Sequence, residues 1–413
     1  MGFDTQFRPP DPAGTNAALL RRLLCVRGLR AFADGYVSLL LPLYLIALGM
    51  GPVEVGLVAT ATLLGSGVLT LLTGLHAWRF SYRGLLLLAS LLMTATGFGF
   101  AFVQHFVPLL IIAAVGTLNP SSGDVSVFLP LEHALMSHTV DDKTRTAAFA
   151  RYSLIGSLSA AFGALFAGAH EAIVGLLKVD TTTVLQSMFV LYGLIGLACG
   201  LIYRALPQEV EHGERVPGAP LKQSRRTAYT LAALFSLDAF GGGLVVQSLL
   251  ALWLFQQFEL STAVAGTIFF WTGVLSAASY LVAVRIAHRI GLVNTMVFTH
   301  LPANILLVLV PFMSTLHWAV ALLLIRSALS QMDVPTRSSY VMAIVTPEER
   351  AAAASVTAVP RSMASAVSPM IAGYMLSAST FGWPLVVAGA VKITYDLLLL
   401  VMFRQRPPPE EVP

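Results

Sequence analysis

The chain consists of long apolar stretches separated by short polar connections. Each stretch has about 20 residues or more, the length that an α-helix needs to cross the hydrocarbon core of a bilayer. The pattern predicts an all-α membrane protein with twelve transmembrane helices and no soluble domain. The predicted spans are 23–48, 52–75, 84–104, 107–136, 146–170, 183–205, 227–256, 263–288, 292–313, 317–345, 350–375 and 380–403.

The composition agrees with a surface that faces lipid. Hydrophobic residues make up 56% of the 413 residues and charged residues 11%, with a mean hydropathy of +0.77, which excludes a soluble globule. Residues 1–22 are polar and contain Pro9, Pro10 and Pro12. They predict a disordered cytoplasmic tail rather than a cleavable signal sequence, and residues 404–413 predict a second cytoplasmic tail.

Lysine and arginine residues are concentrated at alternate connections. With the predicted spans, the outward connections carry only Lys178. Because positively charged loops are retained in the cytoplasm, both termini are predicted to lie inside, in a protein of the cytoplasmic (inner) membrane. The inward connections and tails carry Arg8, Arg21, Arg22, Arg79, Arg83, Lys143, Arg145, Arg204, Arg215, Lys222, Arg225, Arg226, Arg285, Arg289, Arg350, Arg404 and Arg406. The net charge of +4 therefore gives no reason to expect a nucleic-acid partner.

The sequence repeats itself once. A polar connection at 206–226 separates a predicted six-helix half at 23–205 from a second half at 227–403, and an offset near 209 superposes them. At this offset Val37–Leu45 falls on Val246–Leu254, and Asp124 falls on Asp333. Two six-helix halves in the same orientation are a known transporter plan, with the substrate site near the bilayer midplane.

The connection between spans 2 and 3 resembles the signature of the major facilitator superfamily, Gly-x-x-x-Asp-Arg-x-Gly-Arg-Arg. Gly74, Arg79 and Arg83 match it, whereas Trp78 replaces the aspartate and Ser81 the second glycine. The second half carries a partial copy that includes His288 and Arg289. The resemblance implies transport by alternating access, a central cavity lined by spans 1, 4, 7 and 10, and a cytoplasmic gate at these five matched positions. The alternative is ordinary anchoring by positive charge.

Six acidic residues lie within the predicted spans, where an unpaired charge costs about 2.5 to 3.5 kcal/mol. They must be paired, protonated or in contact with water. Five of the six fall in spans 1, 4, 7 and 10, which the resemblance assigns to the cavity. The six are Asp34, Asp124, Glu132, Asp238, Asp333 and Asp396.

Helical spacing suggests partners for some of these carboxylates. Arg30 can neutralise Asp34 four residues later, and Lys392 can neutralise Asp396, for which a structural pair is favoured. Asp238 has no countercharge on its own helix, so its partner must be a residue of another helix or a proton. Asp34 and Asp238 are therefore the candidates for proton coupling.

Spans 4 and 10 are interrupted at corresponding positions, by residues 119–124 and 330–337. Paired interruptions of this kind indicate a transporter's binding site, although 119–124 could instead be a surface loop. Arg361, in span 11, could complement Asp238 or Asp333 or bind an anionic substrate group. The candidates for the substrate cavity are Arg30, Asn119, Asp124, Gln247, Gln331, Asp333, Arg337 and Arg361.

The sequence contains no nucleotide-binding loop, catalytic carboxylate pair on a loop, or cysteine and histidine spacing for a metal. Cys25 and Cys199 are expected to be inert thiols and His300 to be structural. We therefore expect no cofactor, no catalytic residue and no enzyme activity. The expected function is proton-coupled secondary transport of a small molecule by a monomer, with efflux favoured over uptake. The alternatives are an uncoupled facilitator and, less favoured, a membrane-embedded enzyme or receptor.

Overall fold

A computed structural model of the chain describes residues 12–76, 80–121, 126–139, 142–206, 221–346 and 349–404. Within these ranges the regular structure is helical, as the apolar pattern predicts. The α-helices are α1 Pro12–Ala47, α2 Pro52–His76, α3 Tyr82–Phe102, α4 Phe106–Val115, α5 Phe128–Thr139, α6 Asp142–Phe166, α7 Ala169–Leu177, α8 Thr181–Arg204, α9 Arg225–Leu244, α10 Gln247–Phe258, α11 Thr262–Ile290, α12 Leu292–Leu309, α13 Leu316–Ser330, α14 Asp333–Ile344, α15 Arg350–Ala378 and α16 Trp383–Phe403.

The first helix begins earlier than the polar composition predicted. Residues 12–22 were assigned to a disordered tail, but α1 starts at Pro12. The reason is local, since proline is well suited to the first position of a helix and Ala17–Leu20 are good helix formers. The remainder of the predicted tail lies outside the described residues.

In the described part of the chain, nine helical segments are long and apolar enough to cross a membrane. The other predicted spans correspond to the pairs α4–α5 and α13–α14, which contain the shorter apolar helices Phe106–Val115 and Leu316–Ser330, and to α15. The all-helical membrane architecture is therefore confirmed. The count of twelve spans stays a prediction.

Predicted spans 4 and 10 are broken where the polar residues interrupt them. Helix α4 ends at Val115 and α5 begins at Phe128, while α13 and α14 are separated by Gln331 and Met332. Asn119 forms the turn in the first break, because its Oδ1 accepts hydrogen bonds from Ser121 N at 3.1 Å and Ser121 Oγ at 2.6 Å. Asp124 lies outside the described residues.

Predicted span 7 is also broken, between α9 and α10, and the sequence analysis did not anticipate that break. The run Gly241–Gly243 stands just before it. Three successive glycines weaken a helix because each loses more backbone freedom on folding than any other residue.

Helices α1–α8 form a first bundle and α9–α16 a second bundle, and the two meet mainly along three helix pairs, α2 with α15, α6 with α11, and α1 with α10. Thr60 Oγ1 of α2 accepts a hydrogen bond from Met370 N of α15 at 2.9 Å. At the end that holds the described termini, two arginines bind backbone carbonyl groups of their own bundle. There Arg22 donates to the carbonyl oxygen of Ala205, and Arg83 donates to that of Arg204 at 2.7 Å.

A carboxylate joins the bundles at the opposite end. The carboxylate of Glu171, in α7, accepts hydrogen bonds from the backbone N–H groups of Thr262 and Ala263, at the start of α11. A carboxylate is stabilised at a helix N-terminus, where several N–H groups are unpaired and the helix dipole is positive. We call this contact the clasp.

Neutralising Glu171 should loosen the clasp. In Glu171→Gln we expect the closed arrangement at this end to lose about two- to fivefold in relative population, from about 0.3 to 1 kcal/mol for a charge at a helix terminus. Spin labels at the exposed positions Leu176 and Val264 would report this as a longer component in their distance distribution. Glu259→Gln, an exposed carboxylate close by in sequence, is the control, and an identical distribution in both variants would contradict a role for the clasp.

A second carboxylate holds the other end of the second bundle. Glu349, just before α15, accepts hydrogen bonds from the backbone N–H groups of Lys222 at 2.6 Å, Gln223 at 3.0 Å and Ser224 at 2.9 Å. These bonds favour the charged form and lower the pKa of Glu349 from its ordinary value of 4.5 to about 2. The contact orders the residues that lead into α9.

The lowered pKa of Glu349 has a direct consequence for acid stability. The folded state binds its proton less readily than the unfolded state, so this contribution is complete above pH 4.5 and is lost as the pH falls toward 2. We expect Glu349→Gln to melt at a lower temperature than the native protein at neutral pH and to show a smaller further loss between pH 4.5 and 2. Equal slopes in that window would refute this role.

Candidate functional site

The second bundle buries an unusual number of charged side chains. Six titratable residues from four helices lie together with side chains at most 9% exposed. We call them the second-bundle cluster. Its members are Asp238, His300, Asp333, Arg337, Lys392 and Asp396.

Asp238 is the centre of the second-bundle cluster. Its Oδ1 is 2.6 Å from Lys392 Nζ and 3.7 Å from His300 Nε2, and its Oδ2 is 2.9 Å from Arg337 NH1. The sequence left open whether Asp238 meets a side chain or a proton, and the structure supplies partners from α12, α14 and α16. Arg337 NH1 also lies 3.4 Å from Asp333 Oδ2, which is the neutralisation that their spacing allowed.

The structure corrects the expected pair of Lys392 and Asp396. Lys392 donates to Asp238 instead, and Asp396 accepts from Asn304 Nδ2 at 2.8 Å and lies 2.8 Å from His300 Nδ1. Both side chains are buried, at 7% and 0% exposure, so both can reach partners on neighbouring helices. Spacing along one helix cannot reveal those partners.

Charge in the second-bundle cluster depends on one histidine. Three carboxylates face two permanent cations, Arg337 and Lys392. With His300 neutral the cluster carries one net negative charge, and a proton on His300 brings it to zero. Burial makes any uncompensated charge costly, so the charge state of His300 decides whether these six residues are balanced. His300, interpreted from the sequence as structural, joins the two carboxylates Asp238 and Asp396.

The first bundle buries a second carboxylate site, at Glu132 of α5. Glu132 is fully buried and accepts hydrogen bonds from Arg30 Nη2, from Tyr152 OH, and from Tyr203 OH at 2.6 Å. The guanidinium of Arg30 also stands 4.0 Å from the ring centroid of Phe128. These residues form the first-bundle cluster, which holds α1, α5, α6 and α8 together.

Arg30 contacts Glu132, and its expected pairing with Asp34 stays a prediction. Asp34 itself is only partly buried. Glu132 is one of the six intramembrane acids, but its sequence context predicts no role for it. Its signal was the absence of a cation on its own helix, the same signal that drew attention to Asp238.

Gln247 lies on the contact between the bundles, where its Nε2 donates to Ser38 Oγ at 2.9 Å. The two residues are 209 apart in sequence, which is the offset that superposes the predicted halves. A contact between equivalent positions of two repeats lies on the axis that relates them. The contact between Ser38 and Gln247 therefore lies on the axis that would relate the two halves by symmetry.

The remaining candidates are dispersed. Gln331 Oε1 accepts from Tyr280 OH at 3.1 Å, and Arg361 is exposed in the middle of α15. Arg83 is bound within the first bundle, and Arg289 is exposed near the end of α11. The side chains of the other gate candidates, Gly74, Arg79 and His288, lie outside the described residues. Among the side chains that are described, no group of three or more His, Cys, Asp or Glu residues is arranged so that it could hold a metal ion.

Comparison with known proteins agrees with this architecture. The family model of the Major Facilitator Superfamily matches residues 23–332 and 231–413. An uncharacterized membrane protein of Saccharomyces cerevisiae, YJR124C, is 26% identical, with 91% of this chain and 92% of the yeast protein covered. The chain belongs to the Major Facilitator Superfamily, and it is a multi-pass membrane transporter rather than an enzyme.

Solved structures show the same fold at low identity. A bacterial homolog of the human lysosomal transporter Spinster, in an inward-facing and occupied conformation, superposes with a TM-score of 0.76 at 14% identity, covering 95% of this chain and 98% of that one. The nucleoside transporter NupG gives 0.71 at 13% identity, covering 94% and 99%. The xylose transporter XylE from E. coli gives 0.67 at 15% identity, covering 95% and 99%.

Proposed function

We propose that the protein is a proton-coupled secondary transporter that moves a small molecule across the cytoplasmic membrane by alternating access. The observation that carries the proposal is the second-bundle cluster, in which one proton on His300 decides whether the buried charge is balanced. A purely structural ion pair needs no titratable partner. Here His300 lies between Asp238 and Asp396, within 3.7 Å and 2.8 Å of their carboxylates.

The contacts between the bundles support a rocking motion. They involve the clasp at Glu171, the bond from Met370 to Thr60, and the midpoint contact of Gln247 with Ser38. Rocking of residues 23–205 against residues 227–403, with 206–226 as the connection, would break the clasp and close the end that holds the termini. With the termini inside, the clasp lies at the outer end of the bundles, and the proposed motion would open that end.

The energetics of one proton suffice for useful coupling. A membrane potential of about 100 mV supplies about 2.3 kcal/mol per elementary charge, and about 1.4 kcal/mol corresponds to a tenfold ratio. One proton therefore sustains a substrate gradient of about fiftyfold. Asp238, with His300 and Asp396, would hold the coupling proton, and Asp34 is a second candidate in the first bundle.

The test uses purified protein in vesicles. A thermal-stability screen against metabolites and drugs first supplies a ligand, because compounds that bind the folded state raise its melting temperature. Uptake of that ligand is then driven by an imposed pH gradient and compared between the native protein, Asp34→Asn, Asp238→Asn and His300→Gln. Asp180→Asn, an exposed carboxylate at the start of α8, is the control.

We expect the control to accumulate the ligand and at least one of the three interior variants to lose accumulation while keeping exchange of labelled for unlabelled ligand. Unchanged accumulation in all three would overturn the assigned proton sites. Exchange by the native protein with no accompanying proton movement would instead identify an uncoupled facilitator of the same fold.

A further inference from the structure

Helix α15 is open to its surroundings at mid-length. Five successive residues, 358–362, are exposed, and at 3.6 residues per turn they cover the whole circumference of the helix. Elsewhere α15 packs closely against α9 and α2. One side of this segment can face lipid, so the other side must face a cleft inside the protein.

Arg361 faces that cleft rather than the bilayer. A charged side chain in the hydrocarbon core is strongly unfavourable, and Arg361 lies close enough to Arg337, Asp238 and Asp333 to interact with them electrostatically. These three residues are buried inside the second bundle. Arg361 is therefore the exposed edge of the second-bundle cluster.

Two arginines beside the second-bundle cluster form no ion pair with a carboxylate of the described residues. Within the described residues, no carboxylate oxygen lies within 4.0 Å of the guanidinium of Arg361 or of Arg326, in α13. Arg326 Nε is buried without a hydrogen-bond partner, and the nearby acid is Asp238, which already contacts Lys392 and Arg337. Both guanidinium groups retain unused donors.

The second-bundle cluster by itself is balanced when His300 is protonated. Arg326 and Arg361 lie within electrostatic reach of this cluster. They add two positive charges that the three carboxylates do not balance. A bound anion beside them would offset that positive charge.

We infer that the cleft at α15 binds the anionic group of the transported molecule, a carboxylate or a phosphate, with Arg361 as its direct ligand. The guanidinium fork matches the oxygens of either group, and an anion would supply the countercharge that Arg361 lacks within the described residues. Arg326 adds to the positive potential at the site. This inference names the substrate class of the proposed transporter and rests on that proposal.

The experiment uses matched pairs of compounds, each a carboxylic acid or phosphate ester with its uncharged amide or neutral ester. The melting temperature of the purified protein is measured with each compound, for the native chain, Arg361→Gln and Arg361→Lys. Arg285→Gln, which removes an exposed arginine from α11, is the control. Loss of a hydrogen-bonded charge contact should weaken binding about ten- to hundredfold.

The expected result is that acids, and not their neutral partners, stabilise the native protein and the Arg285→Gln variant. Arg361→Gln should need ten- to hundredfold more acid for the same shift, with Arg361→Lys in between. Stabilisation by neutral partners alone, by no acid at all, or by acids equally in Arg361→Gln would overturn the inference. If the anion result fails but the protein still exchanges a neutral ligand across the vesicle membrane, the proposed transport function is supported and only the substrate class is wrong.

Discussion

Asp238→Asn should lower the free energy of unfolding by about 3 to 5 kcal/mol, the usual loss when one partner of a buried ion pair is removed. The reason is that Lys392 and Arg337 both contact this carboxylate, at 2.6 and 2.9 Å. Arg337 keeps Asp333 at 3.4 Å, so Lys392 carries most of the uncompensated charge. Denaturant unfolding in mixed micelles measures the effect.

A second substitution tests whether the loss of stability comes from the unpaired charge of Lys392 or from the changed shape of residue 238. In Asp238→Asn combined with Lys392→Met, the stranded cation is gone, and we expect recovery of part of the lost stability. Their interaction energy in a double-mutant cycle should be clearly nonzero, because the two groups are in contact. The control Asp180→Asn should change stability by much less. A loss in Asp238→Asn no larger than in that control would refute the central position of Asp238.

Glu132→Gln should have a comparable effect in the first bundle, also about 3 to 5 kcal/mol. The substitution preserves shape and leaves an acceptor for Tyr152 and Tyr203, but it removes the countercharge of Arg30, which is 2% exposed. The expected loss is therefore electrostatic, and it appears as a lower denaturant midpoint with an unchanged slope.

Replacing both Arg30 and Glu132 tests whether the first-bundle cluster is structural or takes part in transport. Arg30→Met with Glu132→Leu removes the buried charges together, an exchange that is often neutral or stabilising for ion pairs. If stability returns and ligand exchange in vesicles persists, the cluster is structural. If stability returns without exchange, Arg30 or Glu132 takes part in transport. A double variant as unstable as Glu132→Gln would contradict the electrostatic explanation.

Several features of the fold could be predicted from the amino-acid sequence. Hydropathy is a property of each stretch by itself, so the helical membrane architecture followed from it. The breaks near Asn119 and Gln331 were predictable because polar residues interrupt apolar runs at matching positions. The separation of 209 between Ser38 and Gln247 equals the offset by which the halves superpose, so this contact joins equivalent positions of the repeat.

The partners of the buried charges could not be read in this way. Spacing of four residues finds neighbours on one helix, such as Arg337 and Asp333, whose side chains lie 3.4 Å apart. It failed for Lys392 and Asp396, which turn to Asp238 and to His300. Which faces of α9, α12, α14 and α16 meet depends on packing between helices, and apolar residues look the same whether they face lipid or a neighbouring helix.

The order of the residues thus determined that this chain spans a membrane, where predicted spans 4 and 10 break, and which acids needed an explanation, because solvation and helix spacing are local. The folded arrangement decided that His300 joins two carboxylates, that Glu132 is the partner of Arg30, and that Arg361 lies on an exposed segment of α15. Those are long-range contacts, and a partner on another helix exists only once the helices are packed.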